Sequence, residues 1–174
     1  MKSQQPRNDR LNPCRVGFAL LAGAYGLRCA FSPSTYRFLD GVDLVFHEAG
    51  HVVFGFFGEF IGVLGGSLMQ VLIPAVAAFA LLCQRQPYSA SVVLVWVGQS
   101  LFNVSVYVCD ARRQALPLLG GEDVTHDWGY LLGRLGLLRW DGVLANGVYL
   151  LGLTALLAGV LGALYLSWDS VADR

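Results

Sequence analysis

The sequence predicts an all-α fold, a polytopic integral membrane helix bundle with four to five transmembrane helices. Three observations carry this. Hydrophobic residues make up 55% of the 174 positions and charged residues only 14%, against about a quarter charged in a soluble domain. One domain of this length cannot hide so much apolar surface, so lipid is the natural solvent. Apolar runs long enough to cross a bilayer as helices, at about 17–25 residues, recur along the chain. Such helices satisfy their own backbone groups where no water can.

The elements follow in order. Residues 1–15 contain Lys2, Arg7, Arg10 and Arg15 and read as a disordered basic tail. Residues 16–174 form one membrane-embedded domain. Its first segment, "VGFALLAGAYGL" (16–27), is a short or tilted span. The second span is 41–63, and a turn is expected at Gly65–Gly66. The third is 67–83, and "QRQPYS" then breaks the chain before a fourth, 90–109. A polar region, 110–142, holds a short helix, "HDWGYLLGRLGLL", with Thr125 as its N-cap. The last span is 143–167. Trp128, Tyr130 and Trp140 suit a membrane–water interface. Whether the 16–27 segment spans decides the topology. With five spans the basic tail and the 110–142 region share the cytoplasmic side, and with four they fall on opposite sides.

Composition also excludes some functions. Formal net charge is zero, which gives no support for a nucleic-acid partner. Cys14, Cys29, Cys83 and Cys109 form no CxxC pair, so neither a zinc finger nor a disulfide framework is expected.

Within the second span, "LVFHEAGHVVFGFFGE" places two of the chain's three histidines among apolar residues. His47, Glu48 and His51 form an HExxH pattern. Residues four apart share a helix face, so the two imidazoles can grip one metal ion. Two neutral histidine nitrogens suit zinc, and a catalytic zinc keeps a position open for water. Glu48 beside that face can act as the general base. Ionisable groups inside a membrane helix are costly and tend to be functional.

A third metal ligand is needed. Phe54 and Phe57 stand where an extended soluble motif would place glycine and histidine, which excludes that class. Asp43 lies one turn before His47 and about 12 Å from His51, too far to ligate. It can orient His47 from outside the coordination sphere. Asp40 suits the helix N-terminus. Gln99, Asn103 and Asp110 form a polar stripe on the fourth span that needs a polar face opposite it. Asp110 is thus the leading third ligand. Gln99 and Asn103 are candidates to bind an extended substrate backbone. His126 and Asp127 are the competing ligands, reached if the 110–142 region folds back. Glu59 is expected to snorkel towards the interface near Gly65–Gly66.

An HExxH inside a hydrophobic helix, followed two spans later by "LFNVSVYVCDAR", resembles the site-2 protease family of intramembrane zinc metalloproteases. The resemblance covers residues 40–115. It implies His47 and His51 as zinc ligands, Glu48 as general base, Asp110 as third ligand and Asn103 as a substrate-positioning residue. It implies hydrolysis of peptide bonds in or near membrane segments. The partners would be membrane lipid and a transmembrane or membrane-proximal peptide, and the location the cell (inner) membrane of a prokaryote. Two other readings stay open. One is a non-catalytic membrane protein that uses zinc as a structural staple or binds a partner. The other is a membrane zinc hydrolase of a non-peptide substrate.

Overall fold

A computed structural model describes residues 10–117, 119 and 125–169. Among them are six α-helices: α1 (Pro13–Phe31), α2 (Phe38–Gly55), α3 (Glu59–Cys83), α4 (Pro87–Cys109), α5 (Asp127–Arg134) and α6 (Asp141–Tyr165). A 3₁₀ turn, Leu138–Trp140, leads into α6. Residues 1–9 of the expected basic tail lie outside the described residues. Arg10–Leu11 and the residues that follow into α1 belong to the fold. Arg10–Leu11 pairs antiparallel with Trp168–Asp169, and the Asn12 side chain caps α1 by accepting from the Cys14 and Arg15 amides.

Four helices are long and apolar enough to cross a membrane: α1, α3, α4 and the Leu138–Tyr165 segment containing α6. The first is longer than the apolar run 16–27, because Pro13 at its first turn and Arg28 in its last join the helix. Large apolar side chains face outward from the bundle, including Leu21, Phe79, Leu151 and Leu161. The protein is thus an all-α bundle with the surface of a membrane protein.

The second segment departs from expectation. α2 ends at Gly55 and the chain turns at Phe56–Gly58, where Gly58 takes φ 100°. This left-handed conformation favours glycine. Gly65–Gly66 makes no turn and lies inside α3. Its glycines serve close helix contact: a Cβ at Gly65 would lie 2.5 Å from Phe54 Cβ. Glu59, expected late in the second span, is the exposed first residue of α3. With Asp40, Asp43 and Glu48 in 18 residues, α2 is not among the four candidate spans. It packs along α3 as an antiparallel hairpin and also touches α4.

The most extensive packing is between α4 and α6. Cys29 and Ala30 of α1, Val95 and Phe102 of α4 and Leu156 of α6 form one buried cluster. A second joins Val104, Val108 and Ala111 to Leu132 of α5 and Ala145 of α6. Burial of Leu132 and Leu131 anchors α5 to the bundle. The N-cap of α5 is His126, whose Nδ1 accepts from the Gly129 amide at 3.1 Å, and not Thr125. α5 ends at Arg134, and Gly136 with φ 68° turns the chain.

Candidate metal centre

Helical periodicity puts His47 and His51 one turn apart on the α2 face turned towards α3. Their rings meet edge to face, 4.8 Å between centroids. The third group is Asp127, the first residue of α5. Its Oδ2 lies 2.9 Å from His47 Nε2 and 3.3 Å from His51 Nε2. One ligand atom from each of the three residues falls within 4.8 Å of the others, so this group can hold a metal ion. Ligands at 2.0–2.2 Å in a tetrahedron are about 3.4 Å apart. The His51 contact is already near that spacing, and the His47 contact would open by about half an ångström.

The proton accounting around His51 calls for a cation. Its Nδ1 lies 2.9 Å from the Gly62 carbonyl oxygen, which can only accept, so Nδ1 carries hydrogen. Its Nε2 faces a carboxylate, which also only accepts. A proton on Nε2 or a metal ion must therefore mediate that contact. Burial alone would raise the Asp127 carboxyl. The imidazoles of His47 and His51 outweigh it and hold that carboxyl below the ordinary carboxylate range. Space for an ion is made by α3. A Cβ at Gly66 would lie 2.6 Å from His47 Nε2 and 2.7 Å from His51 Nε2.

Asp127 arrives by a network of its own. The Asp127 amide donates to Tyr107 Oη at 3.2 Å, and Trp128 Nε1 donates to Ser67 Oγ at 3.0 Å. His126 Nε2 lies 3.3 Å from Asp110 Oδ2. Because His126 Nδ1 is the acceptor of the cap, Nε2 is the donor to Asp110. Asp110 also accepts from the Ala115 and Leu116 amides at 3.1 and 2.9 Å.

The sequence-predicted residues thus separate. His47 and His51 come together with Asp127, one of the two competing ligands. Asp110, the leading candidate, faces His126 and its own loop, because α4 ends at Cys109 and the chain turns back through Asp110 to receive those amides. His126 has both ring nitrogens engaged away from the ion's place. Asp43 does not orient His47. Its carboxylate accepts from Trp96 Nε1 at 2.8 Å and Ser100 Oγ at 3.0 Å, tying α2 to α4. Gln99 is buried behind Asp40, to which it donates at 2.8 Å, and does not itself line the cavity.

A cavity of about 670 Å³ opens beside the three residues. Glu48, exposed on α2 between the two histidines in sequence, lies on its wall. Leu44, Val106 and Leu116 supply apolar wall, and Tyr107 and Asn103 supply polar groups. Three contributors escaped sequence reading: Gln70, whose Oε1 faces His47 Nδ1 at 2.9 Å, Tyr107 and Gly66. A trace of Gln70 is visible as the lone amide in "SLMQVLIPAV". No family model matches the chain, and neither does any curated protein or solved structure.

Proposed function

We propose that the chain is an intramembrane zinc metalloprotease, acting on peptide bonds in or near membrane segments, in the cell membrane of a prokaryote. The observation that carries this is the convergence of His47, His51 and Asp127 on one point, beside a cavity that has Glu48 on its wall. Two imidazole nitrogens and one carboxylate oxygen make a donor set that suits zinc and leaves a fourth position for chemistry. The resemblance to the site-2 protease family points the same way, with Asp127 in the role it gives to Asp110.

When bound, zinc supplies Lewis acidity for a carbonyl and makes water easier to deprotonate. The residues of this chain do the rest. Glu48 takes a proton from water as the water oxygen adds to the peptide carbonyl carbon. It passes that proton to the amide nitrogen as the C–N bond breaks. Leu44, Val106 and Leu116 offer an apolar wall to the side chains of a membrane segment. The cavity favours an enzyme over a structural zinc staple, because a staple has no need of free volume next to a general base.

The test compares the purified wild type with Glu48→Gln, for zinc content and for cleavage of membrane-segment peptides in detergent. Glu48→Gln should retain about one zinc per chain and lose hydrolysis, since the amide cannot take a proton. Equal cleavage by both proteins would remove the protease reading. Zinc in both with cleavage in neither would favour the staple.

A further inference from the structure

Consecutive helices of a bundle joined by a short loop usually run in opposite directions, yet α1 and α2 run the same way. The start of α1 sits with the start of α4 and the end of α6. Tyr88 Oη donates to the Arg15 carbonyl oxygen at 2.7 Å, and the Asn12 amide donates to the Ser167 carbonyl oxygen at 2.8 Å. From there α1 follows α6. A Cβ at Gly23 would lie 3.2 Å from Val160 Cγ2, and Tyr149 Oη donates to the Ala30 carbonyl oxygen at 3.0 Å. Only Gln84–Gln86 separate the end of α3 from the start of α4, and Gln70 meets Asn103 at 3.1 Å where the two helices pack back along each other. α3 thus runs against α1 and α4. α2 is antiparallel to α3, with Gly50 against Gly65 and Gly55 against Gly62, so it continues in the sense of α1.

The break between α1 and α2 lies deep. Ala30 stands beside Tyr149, eight residues or about 12 Å into α6. Asp40, in the first turn of α2, accepts from Gln99 and Asn103, which stand about 15 and 9 Å before the end of α4 at Cys109. Non-helical backbone is tolerated at membrane depth only where protein or a cavity meets it. Both ends of this break are met. At the carbonyl end of α1, the Arg37 guanidinium donates to the carbonyl oxygens of Arg28, Ser32 and Thr35 at 3.2, 2.9 and 2.7 Å. At the amide end of α2, Leu39 donates to Tyr25 Oη at 3.3 Å and the Arg37 amide to the Asp40 carboxylate at 2.6 Å. Pro33, Ser34 and Tyr36 line the cavity. Arg28, exposed in the last turn of α1, can carry its charge towards the nearer boundary on its long stem.

The outer face of α2 suits the same depth. Phe38, Val45 and Val52 recur every seven residues on one stripe and are 82%, 67% and 70% exposed. Asp40, Asp43 and His47 lie on the opposite face and are buried. The charge that removes α2 from the candidate spans is therefore hidden inside the bundle. Alongside, α3 leaves Leu72 and Val76 exposed.

We infer that α1 and α2 make one interrupted crossing of the membrane, with the outer face of α2 against lipid hydrocarbon. Among the described residues the chain then crosses four times, through α1 with α2, α3, α4 and α6. Asn12, Gln84 and Ser167 lie on one side. The Phe56–Gly58 turn and Arg113 lie on the other, which is the side nearer His51. This crossing pattern does not depend on the proposed activity.

The test is accessibility in the membrane, with the full chain carrying one cysteine at a time. A membrane-impermeant maleimide is applied to intact cells and then to permeabilised ones. A protein that keeps only Cys14, and one with Gln84→Cys, should react from one side. Phe57→Cys and Arg113→Cys should react from the other. A chain in which α2 turns back to make a fifth crossing would instead group Cys14, Phe57→Cys and Arg113→Cys, with Gln84→Cys opposite, and that pattern would overturn the inference. In lipid vesicles, a nitroxide on Val45→Cys should be relaxed by oxygen and little by a water-soluble nickel chelate, as on Leu151→Cys of α6. Nickel relaxation at the level of Arg113→Cys would put α2 in water. Shielding from both reagents would put protein over it. Either result overturns the lipid face.

Discussion

Asp110 holds His126 through a 3.3 Å contact between carboxylate and ring, and the next residue, Asp127, is the one that meets the two imidazoles of α2. The residue expected to bind a metal ion instead fixes the segment that brings Asp127 to the two histidines. Asp127→Ala should therefore abolish zinc binding. Asp110→Ala should weaken it by about tenfold, as loss of a group supporting a ligand does. Equilibrium dialysis against a zinc chelator separates the two. Full loss in Asp110→Ala with retention in Asp127→Ala would exchange their roles.

Gly66 gives a steric test that leaves every ligand in place. A methyl group there would lie where the two Nε2 atoms converge. Gly66→Ala should remain helical by circular dichroism and lose zinc. A stoichiometric zinc content in that variant would place the ion elsewhere.

Asp43 should matter for stability and not for metal. It is fully buried and satisfies Trp96 Nε1 and Ser100 Oγ. Asp43→Leu leaves both donors unsatisfied, at about 1–3 kcal/mol each. Denaturation in mixed micelles should show that loss, while the folded fraction keeps its zinc. A variant of wild-type stability that has lost zinc would return Asp43 to the metal centre.

The metal-free protein should carry an acid-dependent term from Asp127. Its carboxyl is held below the usual range in the fold. Its contribution is then present in full above the unfolded value of about 3.9, and is lost as pH falls below that through the lowered folded value. Asp127→Asn should flatten this part of the stability–pH curve. An identical slope in wild type and variant below about pH 4 would refute the coupling.

The parts of the site legible in the sequence are those with short period. His47, Glu48 and His51 need only one helix turn to declare a shared face, and the apolar runs declare α3, α4 and α6. Asp127 is different. It lies 76 residues after His51 in number, and what brings it back is a cap at His126, a turn at Asp110 and burial of Leu131 and Leu132. None of these has a periodic trace. Gly65–Gly66 misled because the same residue type serves turns and close helix contacts, and only the α2 partner tells which. Gly58, a single glycine after two phenylalanines, marked the real turn. The stripe of Gln99, Asn103 and Asp110 did announce a polar partner. Its members face Asp40, Gln70 and His126.

The early end of α2 sets a ruler. His51 stands four residues before Gly55, about 6 Å along the axis from the turn into α3. α5 and the end of α4 close over the same end of the bundle. On the proposed reading, the scissile bond is reached within about one and a half helical turns of that boundary and not at mid-bilayer. The distance from the end of a substrate's apolar stretch to its cut would then be nearly constant among substrates. Products trimmed at a fixed offset, whatever their side chains, would be the mark this geometry leaves behind.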